Sequence, residues 1–190
     1  MNSADLELIR PSRAFGPEFR GLVREYRAVG EVYDRLLEPL LDDFPRYLRR
    51  LEDFARGVAI PRGFVPQTTF WLVRDGVRIV AMGRLRHRLN DALRNEGGHI
   101  GYTVRPTQRK KGYGTVLCRL ILEQAELLLG LNKVLITCDT DNKPSARIIE
   151  KNGGRYAGET ISAYSGKPVS RYWIDLKALP APDLASPETA

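Results

Sequence analysis

Apolar residues recur at steps of three and four along the first third of the chain. These positions are Phe19, Leu22, Val23, Tyr26, Tyr47, Leu48, Leu51 and Phe54. That spacing places them on one face of a helix, so helical structure is predicted from Glu18 to about Gly57. Pro39 and Pro45 interrupt the pattern, and a proline inside a helix removes a backbone donor. The segment is therefore predicted to form two or three helices rather than one long helix.

The rest of the chain alternates between short apolar runs and helical patterns. Thr68–Val73 and Val77–Leu85 flank Asp75-Gly76, which is a strong signal for a hairpin turn. The other predicted elements are a strand within residues 1–14, a short helix or ordered loop at 89–96, strands at Gly98–Val104 and Lys133–Cys138, helices at Thr115–Leu129 and Lys143–Asn152, and closing strands at Arg155–Ser162 and Ser170–Leu176. This order predicts one α+β (mixed α/β) domain over residues 1–179, built around a single sheet that contains a parallel crossover. Residues 180–190 are predicted to form a flexible tail.

Composition narrows the class of protein. The 190 residues are 43% hydrophobic and 28% charged, which is typical of a folded protein rather than a disordered chain. No apolar run approaches the ~18–20 residues of a membrane span, and the first residues lack the apolar segment of a signal peptide. A cytoplasmic location without membrane contact is therefore predicted. Cys118 and Cys138 lack histidines at zinc-ligand spacing, so neither a metal site nor a disulfide is expected.

The net charge of +7 favours polyanionic ligands. Most arginines are scattered over predicted helical segments, where a solvated face is the expected role. Modules that bind nucleic acid usually also carry interleaved aromatic residues or a recognition motif. Nucleic acid is therefore not the expected partner. One basic cluster, Arg109-Lys110-Lys111, lies in a different context.

The basic cluster joins a predicted strand to a predicted amphipathic helix, and Gly112 and Gly114 follow it. The first amides of a helix lack internal partners, and the helix dipole adds partial positive charge there, so the turn is predicted to bind an anion. Glycine at both positions is expected to let a phosphate approach the main chain without a Cβ in the way. Together with the charge of the cluster, the turn favours a diphosphate.

The spacing of this turn differs from two common nucleotide-binding motifs. No Gly-Lys-Ser/Thr follows as in the P-loop, and the three glycines of the Rossmann fingerprint are missing. The turn resembles instead the Arg/Gln-x-x-Gly-x-Gly/Ala signature of the GNAT acetyltransferase superfamily, read here as Arg109-x-x-Gly112-x-Gly114. Two further stretches share the resemblance, in the family's order and at its separations: Ile100–Pro106, similar to the central strand, and Asn142–Gly154, similar to the Asn-x-x-Ser/Ala helix. The resemblance covers roughly residues 68–176 and points to a bacterial group of predicted acetyltransferases, without indicating the substrate.

The resemblance implies a GNAT fold, with one central, mostly antiparallel sheet, a parallel pair of splayed strands, and flanking helices. Acetyl-CoA is the implied co-substrate, with its pantetheine arm between the splayed strands and its pyrophosphate at the helix start. The residues implied to bind it are Tyr102, Thr103, Val104, Arg109, Lys110, Lys111, Gly112, Tyr113, Gly114, Thr115, Asn142 and Ser145. Main-chain groups of the first three would face the pantetheine and the thioester, and the last two would lie near the sulfur. Asn142 is equally suited to cap the next helix.

Transfer to an amine requires a base, because an ammonium group is not a nucleophile. Many family members carry a glutamate on the central strand, and this chain has His99 near that position. With an unperturbed pKa of about 6.5, His99 is a candidate base. Its alternative role is structural, through a hydrogen bond to a neighbouring backbone carbonyl. Glu96, just upstream, is the second candidate.

The tyrosine that many relatives carry four residues after the Ser/Ala of the late helix is replaced here by Ile149. No general acid is therefore assigned. Either Tyr102 or Tyr156 protonates the departing thiolate, or the thiolate leaves without help. Cys138 lies in an apolar strand and is interpreted as a buried residue rather than a nucleophile.

These features predict an N-acetyltransferase that moves an acetyl group from acetyl-CoA to a primary amine of a small molecule or peptide, by direct transfer in a ternary complex. The missing tyrosine motivates an alternative, a non-catalytic acyl-CoA-binding or regulatory domain. Residues 16–66 and the loop around Leu89–Gly98 are expected to build the acceptor side, where acidic residues would suit a cationic amine. The acidic residues are Glu31, Asp34, Asp42 and Asp43. A homodimer is expected by analogy with the superfamily.

Overall fold

The computed structural model describes residues 6–31 and 37–179, which form one sheet with helices on both faces. The strands are β1 Leu6–Ile9, β2 Gln67–Arg74, β3 Arg78–Arg86, β4 Ile100–Val104, β5 Lys133–Asp139, β6 Arg155–Ile161 and β7 Pro168–Asp175. The helices are α1 Gly16–Ala28, α2 Phe44–Arg56, α3 Asp91–Asn95, α4 Tyr113–Leu129 and α5 Lys143–Lys151. The elements follow the predicted order. The predicted tail at 180–190 and the first five residues of the predicted first strand segment lie outside the described residues.

The seven strands are ordered β1-β2-β3-β4-β5-β7-β6. Every neighbouring pair is antiparallel except β4 and β5, which run parallel. α4 forms the crossover between these two strands. The predicted fold class, a mostly antiparallel sheet with one parallel pair and flanking helices, is confirmed.

The sheet separates two apolar layers. Along β2, Phe70 and Leu72 pack on the side of α4, whereas Trp71 and Val73 pack on the side of α1 and α2. This alternation follows from the two-residue period of a strand, and all four side chains are buried because both faces are covered. The eight apolar residues that predicted the first helices are all buried too.

The two prolines separate the first helices as predicted. Pro45 lies in the first turn of α2, where a missing N–H is tolerated, and Asp43 caps that turn by accepting the Arg46 N–H at 3.1 Å. Pro39 lies in a short 3-10 turn at Glu38–Leu40.

Candidate active site

β4 and β5 diverge beyond a single paired position. Ile100 and Ile136 are the only residues in register among those described, and the His99 amide donates to the Leu135 carbonyl just before that point. The space between residues 101–104 and 137–139 is called the β4–β5 gap below. A splayed parallel pair was predicted, and this geometry confirms it.

Tyr102 of β4 spans the β4–β5 gap. Its hydroxyl lies 2.9 Å from the hydroxyl of Ser145 in α5, and it donates to the Ser145 carbonyl at 3.3 Å. Burial raises the pKa of the Tyr102 phenol, so this group is protonated at neutral pH. The gap therefore contains a hydroxyl that can donate a proton or a hydrogen bond.

Asn142 caps α5. Its side-chain oxygen accepts the backbone N–H of Ser145 at 3.1 Å, which is the capping role that the sequence left open. The side chain is exposed at the mouth of the gap. Capping orients Asn142 and Ser145 together, and contact with a cofactor stays a prediction for both.

The turn before α4 carries free backbone donors. Gly112 is the N-cap residue of α4 with φ of 79°, and Lys110 also has a positive φ, 60°. Within the described part of the chain, the amides of Lys111, Gly112 and Gly114 donate no hydrogen bond. Free amides at the start of a 17-residue helix suit an anion, because the helix dipole and the donors point the same way.

Gly114 has a packing role besides the one predicted from the turn, which stays a prediction. A Cβ on this residue would lie 2.6 Å from Cδ1 of Ile148 and 3.3 Å from Cγ2 of Val104. The missing side chain therefore allows α4 to pack closely against α5 and β4. Gly112, with its left-handed backbone, is the glycine that the turn itself requires.

The side chains of the turn point in several directions. Lys111 donates to Gln108 at 3.2 Å, and Tyr113 is buried in the core, where Arg74 donates to its hydroxyl at 3.1 Å. Tyr113 can therefore contribute only main-chain groups to a ligand at the turn. The carbonyl of Thr115 accepts from Asn152 at 3.2 Å, and the Thr115 amide donates to Gly112.

Arg109 faces α1 rather than the free amides. Its two terminal nitrogens donate to the carboxylate of Glu31 at 2.8 and 2.5 Å, and Nε donates to the carbonyl of Val104 at 3.2 Å. Arg109 is thus paired with Glu31, and its predicted role at the diphosphate stays a prediction.

A row of contacts joins α1 to the end of β4 and the turn that follows. The hydroxyls of Tyr26 and Thr103 lie 2.9 Å apart, and Glu25 accepts from Arg105 and Thr107, each at 2.7 Å. Arg105 also donates to Glu18. The pKa of the Glu25 carboxyl lies below its usual range because Arg105 donates to it. Arg105 was not predicted as a functional residue from the sequence. The signal that could have identified it is its position directly after the central strand and before Pro106.

His99 makes a structural hydrogen bond, but to a backbone N–H rather than to the expected carbonyl. Its Nδ1 accepts the backbone N–H of Leu135 at 3.0 Å, and its side chain is 6% exposed. Burial, with Arg94 and Arg86 nearby, lowers the pKa of His99 to about 4. At neutral pH the ring is uncharged with its proton on Nε2, so Nδ1 is not free to act as a base. These contacts favour the structural role, and the catalytic one stays untested.

Glu96 lies in the loop before β4 and contacts the residue that follows β6. One carboxylate oxygen accepts from the Ser162 hydroxyl at 2.9 Å, and the other is buried without a hydrogen-bond partner in the described parts of the chain. The adjacent Gly97 amide donates to Thr137 of β5 at 2.9 Å, which ties this loop to the strand that borders the gap. Glu96 is therefore a carboxylate with free acceptor capacity beside β5.

Three other predicted candidates have clear positions. Cys138 is 8% exposed and burial raises its pKa, which confirms a buried strand cysteine. Ile149 is fully buried in the core. Tyr156 is 59% exposed on β6, where its ring packs edge-on against Tyr172.

The described acidic residues of the expected acceptor side already have partners within the protein. Glu31 binds Arg109, Asp42 binds Arg27 at 3.0 Å, and Asp43 caps α2. Asp34 lies outside the described residues. The described acids thus neutralise neighbouring arginines or cap a helix.

Neither a metal site nor a membrane span is found where the structure can be searched. Across residues 6–31 and 37–179, no three histidine, cysteine or acidic side chains are grouped as ligands for a metal ion. Over the same ranges no helix has the length and apolar character needed to cross a bilayer.

Comparison with solved structures shows the same fold in several acetyltransferases. RimJ of Mycobacterium smegmatis, in complex with CoA-disulfide, superposes with a TM-score of 0.70 at 16% identity, over 93% of this chain and 84% of that one. The microcin C7 self-immunity acetyltransferase MccE, in complex with acetyl-CoA and AMP, gives 0.67 at 13% identity, over 90% and 92%. A chimera of the spermidine N-acetyltransferase SpeG of Vibrio cholerae gives 0.65 at 15% identity, over 91% and 96%.

Sequence comparison identifies the family. The uncharacterized N-acetyltransferase YnaD of Bacillus subtilis (strain 168) is 34% identical over 59 residues, which are 31% of this chain and 35% of that protein. The aligned stretch thus spans about a third of that relative's length. The model of the acetyltransferase (GNAT) domain family matches residues 36–155, which include the turn before α4, the β4–β5 gap and the start of α5. On this match, this chain belongs to the GNAT acetyltransferase family.

Proposed function

We propose that this chain is an N-acetyltransferase that transfers the acetyl group of acetyl-CoA to a primary amine of a small molecule or peptide, by direct transfer in a ternary complex. The observation that carries the proposal is the continuity of two features. The free amides at the start of α4 suit a diphosphate, and the β4–β5 gap begins where that turn leaves β4. An extended ligand with a diphosphate at one end and a thioester at the other fits this arrangement.

The donor is held mainly by main-chain groups in this proposal. The amides of Lys111, Gly112 and Gly114 bind the diphosphate, with Arg109, Lys110 and Thr115 beside them. Main-chain groups of residues 102–104 bind the pantetheine arm. One backbone N–H aimed at the thioester oxygen stabilises the negative charge that develops there, a role commonly worth ~3–4 kcal/mol. The exposed Asn142 lies near the sulfur with its neighbour Ser145.

Two proton transfers accompany the reaction. The amine attacks the thioester carbon, a C–N bond forms and the C–S bond breaks. Glu96 accepts the proton that the amine loses, because its carboxylate has a free oxygen and His99 Nδ1 is already occupied. Tyr102 donates a proton to the departing sulfur, since its protonated hydroxyl lies at Ser145 in the gap. This assignment places an acid in the gap although Ile149 occupies the usual tyrosine position.

A thiol-release screen tests the activity. Pure protein is incubated with acetyl-CoA and single acceptors from a panel of amines, polyamines, aminoglycosides, amino acids and peptides, and free thiol is measured over time. We expect saturable release of CoA with at least one acceptor class. Binding of acetyl-CoA without thiol release across the whole panel would support the alternative, a non-catalytic acyl-CoA-binding domain, which the replacement of the usual tyrosine by Ile149 motivates.

Two expectations about the protein's surroundings belong to the same proposal. We expect a homodimer, in which the exposed apolar side chains near β6, Tyr156, Ile161 and Tyr164, are natural contact residues. Sedimentation analysis would show a mass of two chains, and a monomer at all concentrations would contradict the expected dimer.

We also expect a cytoplasmic location, which cell fractionation would test.

A further inference from the structure

Arg109 forms an ion pair with Glu31 that a bound anion could replace. Its ion pair with Glu31 is bidentate, at 2.8 and 2.5 Å, and both side chains are exposed, at 40% and 45%. Hydrogen bonds from this guanidinium lower the pKa of the Glu31 carboxyl. Exposed pairs of this kind are weak, with energies of about 0.2–1 kcal/mol, so an anion that binds nearby can replace the carboxylate.

Arg105, which lies two residues after Thr103, forms buried ion pairs that contrast with the exposed pair of Arg109 and Glu31. Its side chain is 2% exposed and is bound by Glu18, by Glu25 at 2.7 Å and by the carbonyl of Ile79 at 3.1 Å. A buried guanidinium with several partners is a fixed attachment, because releasing one partner would leave a buried charge unpaired. Arg105 therefore anchors α1 against the turn, which keeps Glu31 within reach of Arg109.

We propose that Glu31 competes with the diphosphate of acetyl-CoA for Arg109, so that donor binding replaces the carboxylate at this guanidinium and Glu31 lowers the affinity for the donor. The inference rests on the proposed function, since it assumes that the diphosphate binds at the start of α4. A guanidinium presents a fixed fork of donors that matches either a carboxylate or a phosphate, and the two terminal nitrogens that Glu31 uses are the ones a phosphate needs.

Removal of the competing charge therefore has a defined effect. In Glu31→Gln, the side chain keeps its size and loses its charge, so the dissociation constant of acetyl-CoA should fall about 2–5-fold. In Arg109→Gln, it should rise by about 10-fold or more, because a charge-assisted contact to the diphosphate is lost. In the double variant, the tighter binding of acetyl-CoA caused by Glu31→Gln should disappear, because it depends on Arg109.

The experiment is calorimetric titration of the wild type, the two single variants and the double variant with acetyl-CoA. Acetyl-pantetheine, which lacks the diphosphate, is the second ligand, and both substitutions should change its affinity by less than about 2-fold. Glu38→Gln is the matched control, because Glu38 forms a similar ion pair with Arg27 at 3.2 Å and lies outside the proposed site. At about 1 M salt the gain from Glu31→Gln should shrink, since exposed charges are screened there.

Each outcome decides the inference. Tighter acetyl-CoA binding by Glu31→Gln that depends on both Arg109 and the diphosphate supports it. Unchanged or weaker binding by Glu31→Gln overturns it and identifies the pair as a structural contact, while the proposed function stands if the wild type binds acetyl-CoA. An equal gain with acetyl-pantetheine also overturns it. If the wild type binds no acetyl-CoA, the proposed function fails and the inference fails with it.

Discussion

The hydroxyl of Tyr102 lies 2.9 Å from the hydroxyl of Ser145, so the central strand and the helix after β5 touch across the β4–β5 gap. The phenol has a raised pKa because it is buried, so it stays protonated at neutral pH. The position is the one where the sulfur of the donor is expected.

Tyr102→Phe removes this hydroxyl and keeps the ring. If Tyr102 protonates the leaving sulfur, kcat should fall by about 100-fold, while the dissociation constant of acetyl-CoA should change by less than about 3-fold. Thiol-release kinetics and calorimetry measure the two quantities. Tyr156→Phe, on exposed β6, is the control and should leave kcat unchanged. Full activity in Tyr102→Phe would mean that the thiolate leaves unaided.

Glu96→Gln tests the proposed base. The substitution keeps an acceptor for the Ser162 hydroxyl and removes the basic carboxylate, so kcat should fall by about 100-fold or more. His99→Asn retains an acceptor for the Leu135 N–H and should lower kcat by less than about 5-fold. Glu159→Gln on β6 is the control for loss of one carboxylate. The reverse order of effects, with His99→Asn the more damaging, would identify His99 as the base.

The pH dependence of stability tests the environment of His99. Its folded pKa of about 4 lies below the unfolded value of about 6.5, so only the unfolded chain binds a proton between these limits. Stability therefore falls as the pH drops from about 6.5 to 4, by roughly 2–3 kcal/mol at pH 4.5 from this group alone. Urea unfolding at pH 7 and pH 4.5 should show this loss in the wild type and a smaller one in His99→Asn. Equal losses would contradict the lowered pKa.

Gly114→Ala tests the packing role of this glycine. The added Cβ would lie 2.6 Å from Cδ1 of Ile148, so the free energy of unfolding should fall by about 1 kcal/mol despite the better helix propensity of alanine. Ile148→Val deletes that methyl group. It should restore stability in the Gly114→Ala protein and reduce it by about 0.5–1.5 kcal/mol in the wild type. The same effect in both backgrounds would show that the two residues do not contact each other.

Local patterns predict most of this fold. Apolar steps of three and four mark the buried faces of α1 and α2, and Asp75-Gly76 marks the hairpin, because these signals depend only on neighbours in sequence. The splayed pair was predicted from a resemblance carried by short motifs, and the diphosphate site at the helix start was predicted from its glycines, its basic cluster and the unpaired amides of a helix start. Their fold was confirmed, and their ligand contacts stay predictions.

Contacts between distant residues could not be predicted in the same way. Arg109 and Glu31 are 78 positions apart, and nothing in the sequence near Arg109 indicates that its charge is already paired. Gly114 was interpreted from its own turn, whereas its reason lies in Ile148 on another helix. His99 is a similar case, since its partner Leu135 belongs to the neighbouring strand.

The central claim is that the turn before α4 binds the diphosphate of acetyl-CoA. Gly112→Asp and Gly112→Asn test it as a pair, because both side chains tolerate a left-handed backbone and only aspartate adds negative charge. Calorimetric titration with acetyl-CoA should show saturable binding to the wild type, and binding to Gly112→Asp at least about 10-fold weaker than to Gly112→Asn, from charge repulsion at the free amides. No binding by the wild type, or equal affinities for the two variants, would contradict the account.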